Sequence, residues 1–166
     1  DYMFYDCDVL QNIILPNNLL SISERAFSLC SALTDVKIPN SIKEIKEYAF
    51  ADSDKLATIA IEGNGSTTLG SNIFKNCDAL TSAIIGDGVI EIGDRLFDTC
   101  SSLEEVTFGD NILIIPQAIF DYCNSLKKIT IGNGVKTIAY AIAYHWDAKD
   151  IEVYISDLKA WCNIDC

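Results

Sequence analysis

The sequence predicts an α/β solenoid, a curved stack of about six short coils that lay β-strands side by side in parallel. Three observations predict it. Phe recurs at positions 4, 27, 50, 74, 97 and 120, at spacings of 23, 23, 24, 23 and 23. Leu follows every one of them by six residues, at Leu10, Leu33, Leu56, Leu80, Leu103 and Leu126. An alternating apolar pair then follows each Leu, as in Val36 and Ile38 or Ile129 and Ile131. A fixed period of this length marks stacked supersecondary units, because one such unit cannot bury its apolar face alone.

Each position of the repeat has a physical reason. Three residues after the Phe stands a small sulfur or hydroxyl: Cys7, Cys30, Ser53, Cys77, Cys100 and Cys123. Next comes a turn-former, Asp8, Ser31, Asp54, Asp78, Ser101 or Asn124, able to bond a backbone N–H in the following turn. The segment L-x-x-I-x-I carries strand period and β-branched residues. Pro16, Pro39, Gly86, Gly109 and Gly132 follow at once and are expected to end that strand. A second extended piece carries Ile22, Ile45, Ile92, Ile115 and Ile138, with Leu69 in the third copy. That copy is one residue longer, and the extra residue falls in the turn-rich GNGST, where insertion costs little. The stretch leading to each Phe, such as KEYAF at 46–50, reads as a short helical or 3₁₀ turn.

Composition narrows the function. The chain has 166 residues, 49% of them hydrophobic, enough for one domain with a sizeable core. No apolar run approaches the roughly 20 residues of a membrane-spanning helix. Twenty-four acids against 12 bases give a net charge of -12. That balance disfavours nucleic acid and anionic membrane surfaces, both of which need Lys and Arg. It suits a solvated acidic surface.

The pattern C-x-x-L-x-x-I-x-I-P-x-x-[IV]-x-x-I-x-x-x-A-F resembles the leucine-rich repeats of BspA-like, or Treponema pallidum type, bacterial proteins. LCSALTDVKIPNSIKEIKEYAF (29–50) matches it almost position for position. The resemblance covers residues 1–142 in six copies of about 23 residues. It implies a right-handed, curved leucine-rich-repeat solenoid with its parallel sheet on the concave face and turns or 3₁₀ pieces on the convex side. It also implies a secreted or cell-surface bacterial protein, some relatives of which adhere to host proteins. A seventh copy begins and fails, with Ala143, Trp146 and Lys149 where Phe, Cys and Leu belong. Residues 143–166 then read as a degenerate repeat and C-terminal cap, with a short SDLKAW helix capped by Ser156. The first residues show no comparable cap, so further repeats are expected to precede them.

The cysteines are read as structure. Zinc needs four converging ligands, usually with paired C-x-x-C spacing, whereas five of these thiols stand a full repeat apart with no His among them. Ser53 in the same slot says that the slot wants a small residue. Buried, reduced Cys is therefore expected at Cys7, Cys30, Cys77, Cys100 and Cys123. Cys162 and Cys166 lie outside the ladder, as free thiols or in a local or intermolecular disulfide. The single histidine, His145, reads as packing or surface, since nothing places a repeat cysteine against it. Arg25 and Arg95 sit on different copies, and no phosphate loop of the GxxxxGK[ST] type occurs. No catalytic group, cofactor or metal is expected.

Residues flanking the ninth position of each copy point out of the strand. One column reads Asn12, Asp35, Thr58, Ser82, Glu105, Lys128, and the next Ile14, Lys37, Ala60, Ile84, Thr107, Thr130. Charge gathers at the two ends, and Thr58, Ala60, Ser82 and Ile84 form a neutral middle. Glu104 and Glu105 should pair laterally with Lys127 and Lys128. The candidate ligand-binding residues are Asp35, Lys37, Thr58, Ala60, Ser82, Ile84, Glu105, Thr107, Lys128 and Thr130. The expected function is a monomeric, non-enzymatic adhesion module for a host, matrix or surface glycoprotein. The alternative is a structural spacer presenting another domain. A hydrolase or lyase would need convergent acids that these columns do not supply.

Overall fold

The computed structural model describes residues 1–145, 147 and 150–155. Over them the chain winds into a parallel β-solenoid of about six turns. Each of the six turns contributes a first strand after its Leu: β1 (Asn12–Ile13), β3 (Asp35–Val36), β5 (Thr58–Leu69), β6 (Ser82–Ile92), β7 (Glu105–Phe108) and β9 (Lys128–Ile131), and β11 (Glu152–Ile155) follows in the degenerate copy. A second strand follows as β2 (Ser21–Ile22), β4 (Glu44–Ile45), β8 (Ile114–Ile115) and β10 (Thr137–Ile138). Every pairing is parallel, and the rungs that follow each Leu keep repeat register, as a constant period requires. Ile59 lies beside Ala83, Ala83 beside Val106 and Val106 beside Ile129. In β9 the alternation is complete: Ile129 and Ile131 are buried, while Lys128 and Thr130 face outward.

Two strands run further than the turn residues suggested. Gly86 does not end its strand, because β6 passes through it to Ile92, and β5 likewise passes through GNGST to Leu69. Register shifts between Ile61 and Thr68 absorb the extra residue of the third copy, so Leu69 still pairs with Ile45 and Ile92. Gly63 and Gly88 make the merger possible. A Cβ on Gly88 would stand 2.3 Å from the Gly63 carbonyl carbon, so the two backbones touch there only without side chains. The long strands join β2 and β4 to β7, β9 and β11 in one seven-stranded sheet, while β1 with β3 and β8 with β10 form two-stranded sheets of their own.

The segments before and around each Phe are hydrogen-bonded turns, and the described residues contain no helix. The α component and the 3₁₀ turns expected from sequence are absent from them. The reason is a second bonding pattern. Around Phe27, the N–H groups of Arg25, Phe27 and Leu29 donate to Glu47, Ala49 and Ala51 of the next coil, at 3.1, 2.8 and 2.9 Å. Residues two before and two after the Phe take left-handed φ, from 52° to 63°, at Arg25, Leu29, Tyr48, Asp52, Asn72, Asn76, Arg95, Thr99, Ala118 and Tyr122. A helix would turn those donors inward, whereas this alternation aims them along the stack. Left-handed φ is costly for a side chain with a Cβ, most of all a β-branched one. Thr99→Asn, which copies the Asn76 of the preceding coil, is therefore expected to stabilise by about 0.5–1 kcal/mol, read as a higher melting temperature.

Inside the coils, like packs on like. The six repeat Phe rings stack in one column with centroids 5.2–6.2 Å apart and planes within 12° of parallel. The Leu column beside it is fully buried from Leu33 to Leu126. The small residue after each Phe is now explained more fully. Its thiol or hydroxyl donates to the Phe carbonyl of the coil before: Cys30 to Phe4 at 3.2 Å, Ser53 to Phe27 at 3.1 Å, Cys77 to Phe50 at 3.2 Å, Cys100 to Phe74 at 3.0 Å and Cys123 to Phe97 at 3.1 Å. The slot wants a small side chain that can donate. Ser53→Ala is expected to cost about 1 kcal/mol by equilibrium unfolding, with Ser53→Cys near neutral.

The strand β11 was not anticipated as a strand. It pairs with β9 in full register, Glu152 beside Lys128 and Tyr154 beside Thr130, and so extends both outward columns by one rung. Trp146, Lys149, the SDLKAW segment with Ser156, and Cys162 and Cys166 lie outside the described residues.

Candidate functional site

Eight of the ten sequence-predicted residues share the outward face of the seven-stranded sheet, and Asp35, on the separate β1–β3 pair, and Lys37, just past its end, lie beside them. Thr58, Ser82, Glu105, Lys128 and Glu152 form one unbroken rung-to-rung column, and Ala60, Ile84, Thr107, Thr130 and Tyr154 the next. Asp35 pairs with Asn12 on the first coils, and the Ala57 N–H donates to the Thr34 carbonyl to join coil two to coil three. The strand period puts these side chains outside because their neighbours Val36, Ile59, Ala83, Val106 and Ile129 fill the core.

The face divides electrostatically. Toward its C-terminal end the charges satisfy one another. Lys127 Nζ lies 2.9 Å from a Glu104 carboxylate oxygen and Lys128 Nζ 3.8 Å from one of Glu105, as the lateral pairing predicts. Lys128 also sits 5.2 Å from the centre of the Tyr154 ring, and the Tyr154 hydroxyl donates to Glu152 at 2.7 Å. Both ion pairs are exposed and contribute about 0.2–1 kcal/mol each. Toward the other end, Asp35 and Lys37 enter no ion pair among the described residues.

Relief follows the same division. Asp35 and Lys37 stand between two shallow troughs. One, of about 460 Å³, includes Asn12, Ile14 and Pro39, and Ile14 is 96% exposed. The other, of about 380 Å³, is floored by Thr58, Ala60, Ser82 and Ile84, the neutral middle read from the sequence. A third hollow of about 580 Å³ lies over the self-paired charges.

Sequence reasoning missed Glu152 and Tyr154. The alternation Ile151, Val153, Ile155 was the available signal, hidden by one extra residue before it. It also missed an acidic groove of about 370 Å³ beside the second strands, lined by Glu24, Glu44, Glu47 and Glu91 with Lys46.

The remaining polar candidates serve the stack. His145 stacks on Tyr122 at 4.6 Å, and its Nδ1 lies 3.2 Å from the buried Asp121 carboxylate, which also accepts the His145 N–H. Arg95 spans Asp98 and Asp121 at 3.7 Å each, and Lys75 closes on Asp98. These partners neutralise two carboxylates that are only 3% exposed. Arg25 lies 4.2 Å from the Tyr48 ring centre. Cys30, Cys77, Cys100 and Cys123 are buried free thiols as expected, but Cys7, expected to be buried with them, is only half-buried, because its coil is packed from one side in this structure. Burial pushes the Cys30 thiol up to about 11 and Cys123 up to about 12, and raises Cys77 and Cys100 as well.

Comparison with known proteins agrees with this geometry. A model of the BspA type leucine rich repeat region, in six copies, matches residues 1–123 and 63–160. The crystal structure of a T. pallidum leucine rich repeat protein superposes with a TM-score of 0.75 at 26% identity, over 82% of this chain and 63% of that one. A leucine-rich repeat protein from Bacteroides ovatus gives 0.50 at 27% identity, over 82% of this chain and 43% of that one. A leucine rich cell surface protein from Faecalibacterium prausnitzii gives 0.49 at 20%, over 93% and 56%. The chain thus spans less than two thirds of the length of each. No curated protein matches.

Proposed function

Because the chain belongs to the BspA-type leucine-rich repeat family, we propose that it is a non-enzymatic binding module of a bacterial cell-surface or secreted protein. In this reading the solenoid curves with the first-strand sheet on its concave side. That face engages a host or matrix protein. The observation that carries the reading is the face itself: exposed Thr58, Ala60 and Ile84 on an in-register sheet adjoin Asp35 and Lys37, which enter no ion pair among the described residues. Stacked repeats supply such surfaces ready-made, so binding costs little ordering.

The test is a pull-down of extracellular-matrix proteins together with a glycan array, comparing wild type with a Thr58→Glu, Ile84→Glu variant. Both side chains are exposed, so the variant should fold as wild type does. Binding by wild type that the variant loses is the expected result. Equal binding by both would place recognition elsewhere.

A second reading, a spacer that presents another domain, is favoured by the self-paired half of the face. There Glu104, Glu105, Lys127 and Lys128 satisfy one another and need no ligand. A spacer would tolerate every substitution on the face.

A further inference from the structure

We infer that the sheet face, read as above as the binding surface, recognises an extended polypeptide segment of the form apolar–x–acidic–x–apolar across coils one to four. The inference rests on that reading and goes further in naming the half of the face and the chemistry of the partner.

Charge fixes the half. The lysines of the face toward the C-terminal end already have carboxylates within 4 Å, whereas Lys37 has none among the described residues. A lysine without a partner, on a chain of net charge -12, is the place where a partner's carboxylate gains most. Asp35 stands two residues away on the same strand face, about 7 Å off, and rejects a second acid nearby. The motif therefore holds one acid.

Spacing fixes the rest. Ile14, Lys37, Ala60 and Ile84 hold the same repeat position in consecutive coils, and Lys37 lines a trough on either side. Parallel strands stand about 4.8 Å apart, so Ile14 and Ile84 are about 14 Å apart. An extended chain covers that distance in about four residues and turns alternate side chains to one side. Apolar side chains at i and i+4 then reach the two troughs. The one at i+2 falls within reach of the long Lys37 side chain. Ile14 at 96% and Ile84 at 42% exposure supply apolar surface that such a segment would cover.

The experiment is panning of a displayed random decapeptide library on the 166-residue chain, with affinities then measured on wild type, Lys37→Glu, Ile84→Glu and Lys128→Glu. Circular dichroism checks that each variant folds. Enrichment of the motif is expected, with a loss of about tenfold or more on Lys37→Glu, a loss on Ile84→Glu and none on Lys128→Glu. Replacing the peptide's acid by Lys should restore binding to Lys37→Glu. Peptides that lack the motif, or that depend on Lys128 rather than Lys37, would overturn the inference while leaving the sheet-face reading standing. Binding indifferent to all three substitutions would overturn both. Failure to enrich any peptide would overturn the inference, and a glycan bound by wild type but not by Ile84→Glu would then put a sugar on the same face.

Discussion

Leu103→Ala in the fifth coil is expected to destabilise the protein by about 2–5 kcal/mol, measured by urea or thermal unfolding. Leu103 is fully buried, as are its column neighbours Leu80 above and Leu126 below, at 0% and 1% exposure. The loss has two parts: the transfer free energy of the removed methyl groups, and the cavity that remains because neighbours cannot collapse into it. A solenoid makes the second part large. Each rung is held from both sides by backbone bonds that fix the coil spacing. The Leu103 N–H donates to Cys100 within the coil, while Glu104 and Lys127 tie the adjoining backbone to the coils on either side. Leu10, half-buried at the first rung, supplies the comparison. Leu10→Ala should cost clearly less than Leu103→Ala. Equal costs at the two positions would refute the stacked-column account of stability.

The solenoid was legible because its signal repeats. Six Phe and six Leu at one period leave few alternatives, and each copy checks the others. What was not legible lies between copies. The sequence of a turn such as KEYAF has helical propensity, and nothing local reveals that Tyr48 and Asp52 will take φ of 56° and 60° to aim N–H groups at the next coil. That geometry is imposed by the stack. Gly86 failed as a strand terminator for a similar reason. Gly usually weakens a strand, but here Gly63 and Gly88 meet across two coils and let the strands continue. The donor role of Cys30, Ser53, Cys77, Cys100 and Cys123 was half visible, since the Ser in the third copy betrays a shared hydroxyl or thiol chemistry. The carbonyl it serves is 26 or 27 residues away and belongs to another coil. The outward columns were read correctly because strand period decides them. The split of that face into self-paired and unpaired halves depends on which long side chains meet, and on a strand, β11, that sequence reading did not place.

The four buried ladder thiols, Cys30, Cys77, Cys100 and Cys123, should be almost silent to a thiol reagent in the native protein. In a Cys162→Ser, Cys166→Ser background, which leaves only the ladder, Cys7 is expected to label quickly. Cys30, Cys77, Cys100 and Cys123 should label slower by on the order of 10³ or more, the factor set by the opening free energy of a stable domain. Two causes act together. The sulfurs are buried, and burial disfavours the thiolate that does the attacking, so the Cys30 thiol rises from 9.0 to about 11 and Cys123 to about 12. The same shift sets a pH dependence. Below about pH 9 the thiols are protonated in both states, and their contribution to stability is fully present. Above it the unfolded chain loses protons that the native coils keep, so stability falls as pH rises from about 9 toward about 11 and 12. Ser53 suggests the control. Cys100→Ser keeps the donor to the Phe74 carbonyl but has no thiol to ionise, so the alkaline decline should be shallower in that variant. Rapid native labelling of Cys77 or Cys100, or an alkaline decline unchanged by Cys100→Ser, would show that the ladder opens to solvent. The column of donors could then not be what locks one coil to the next.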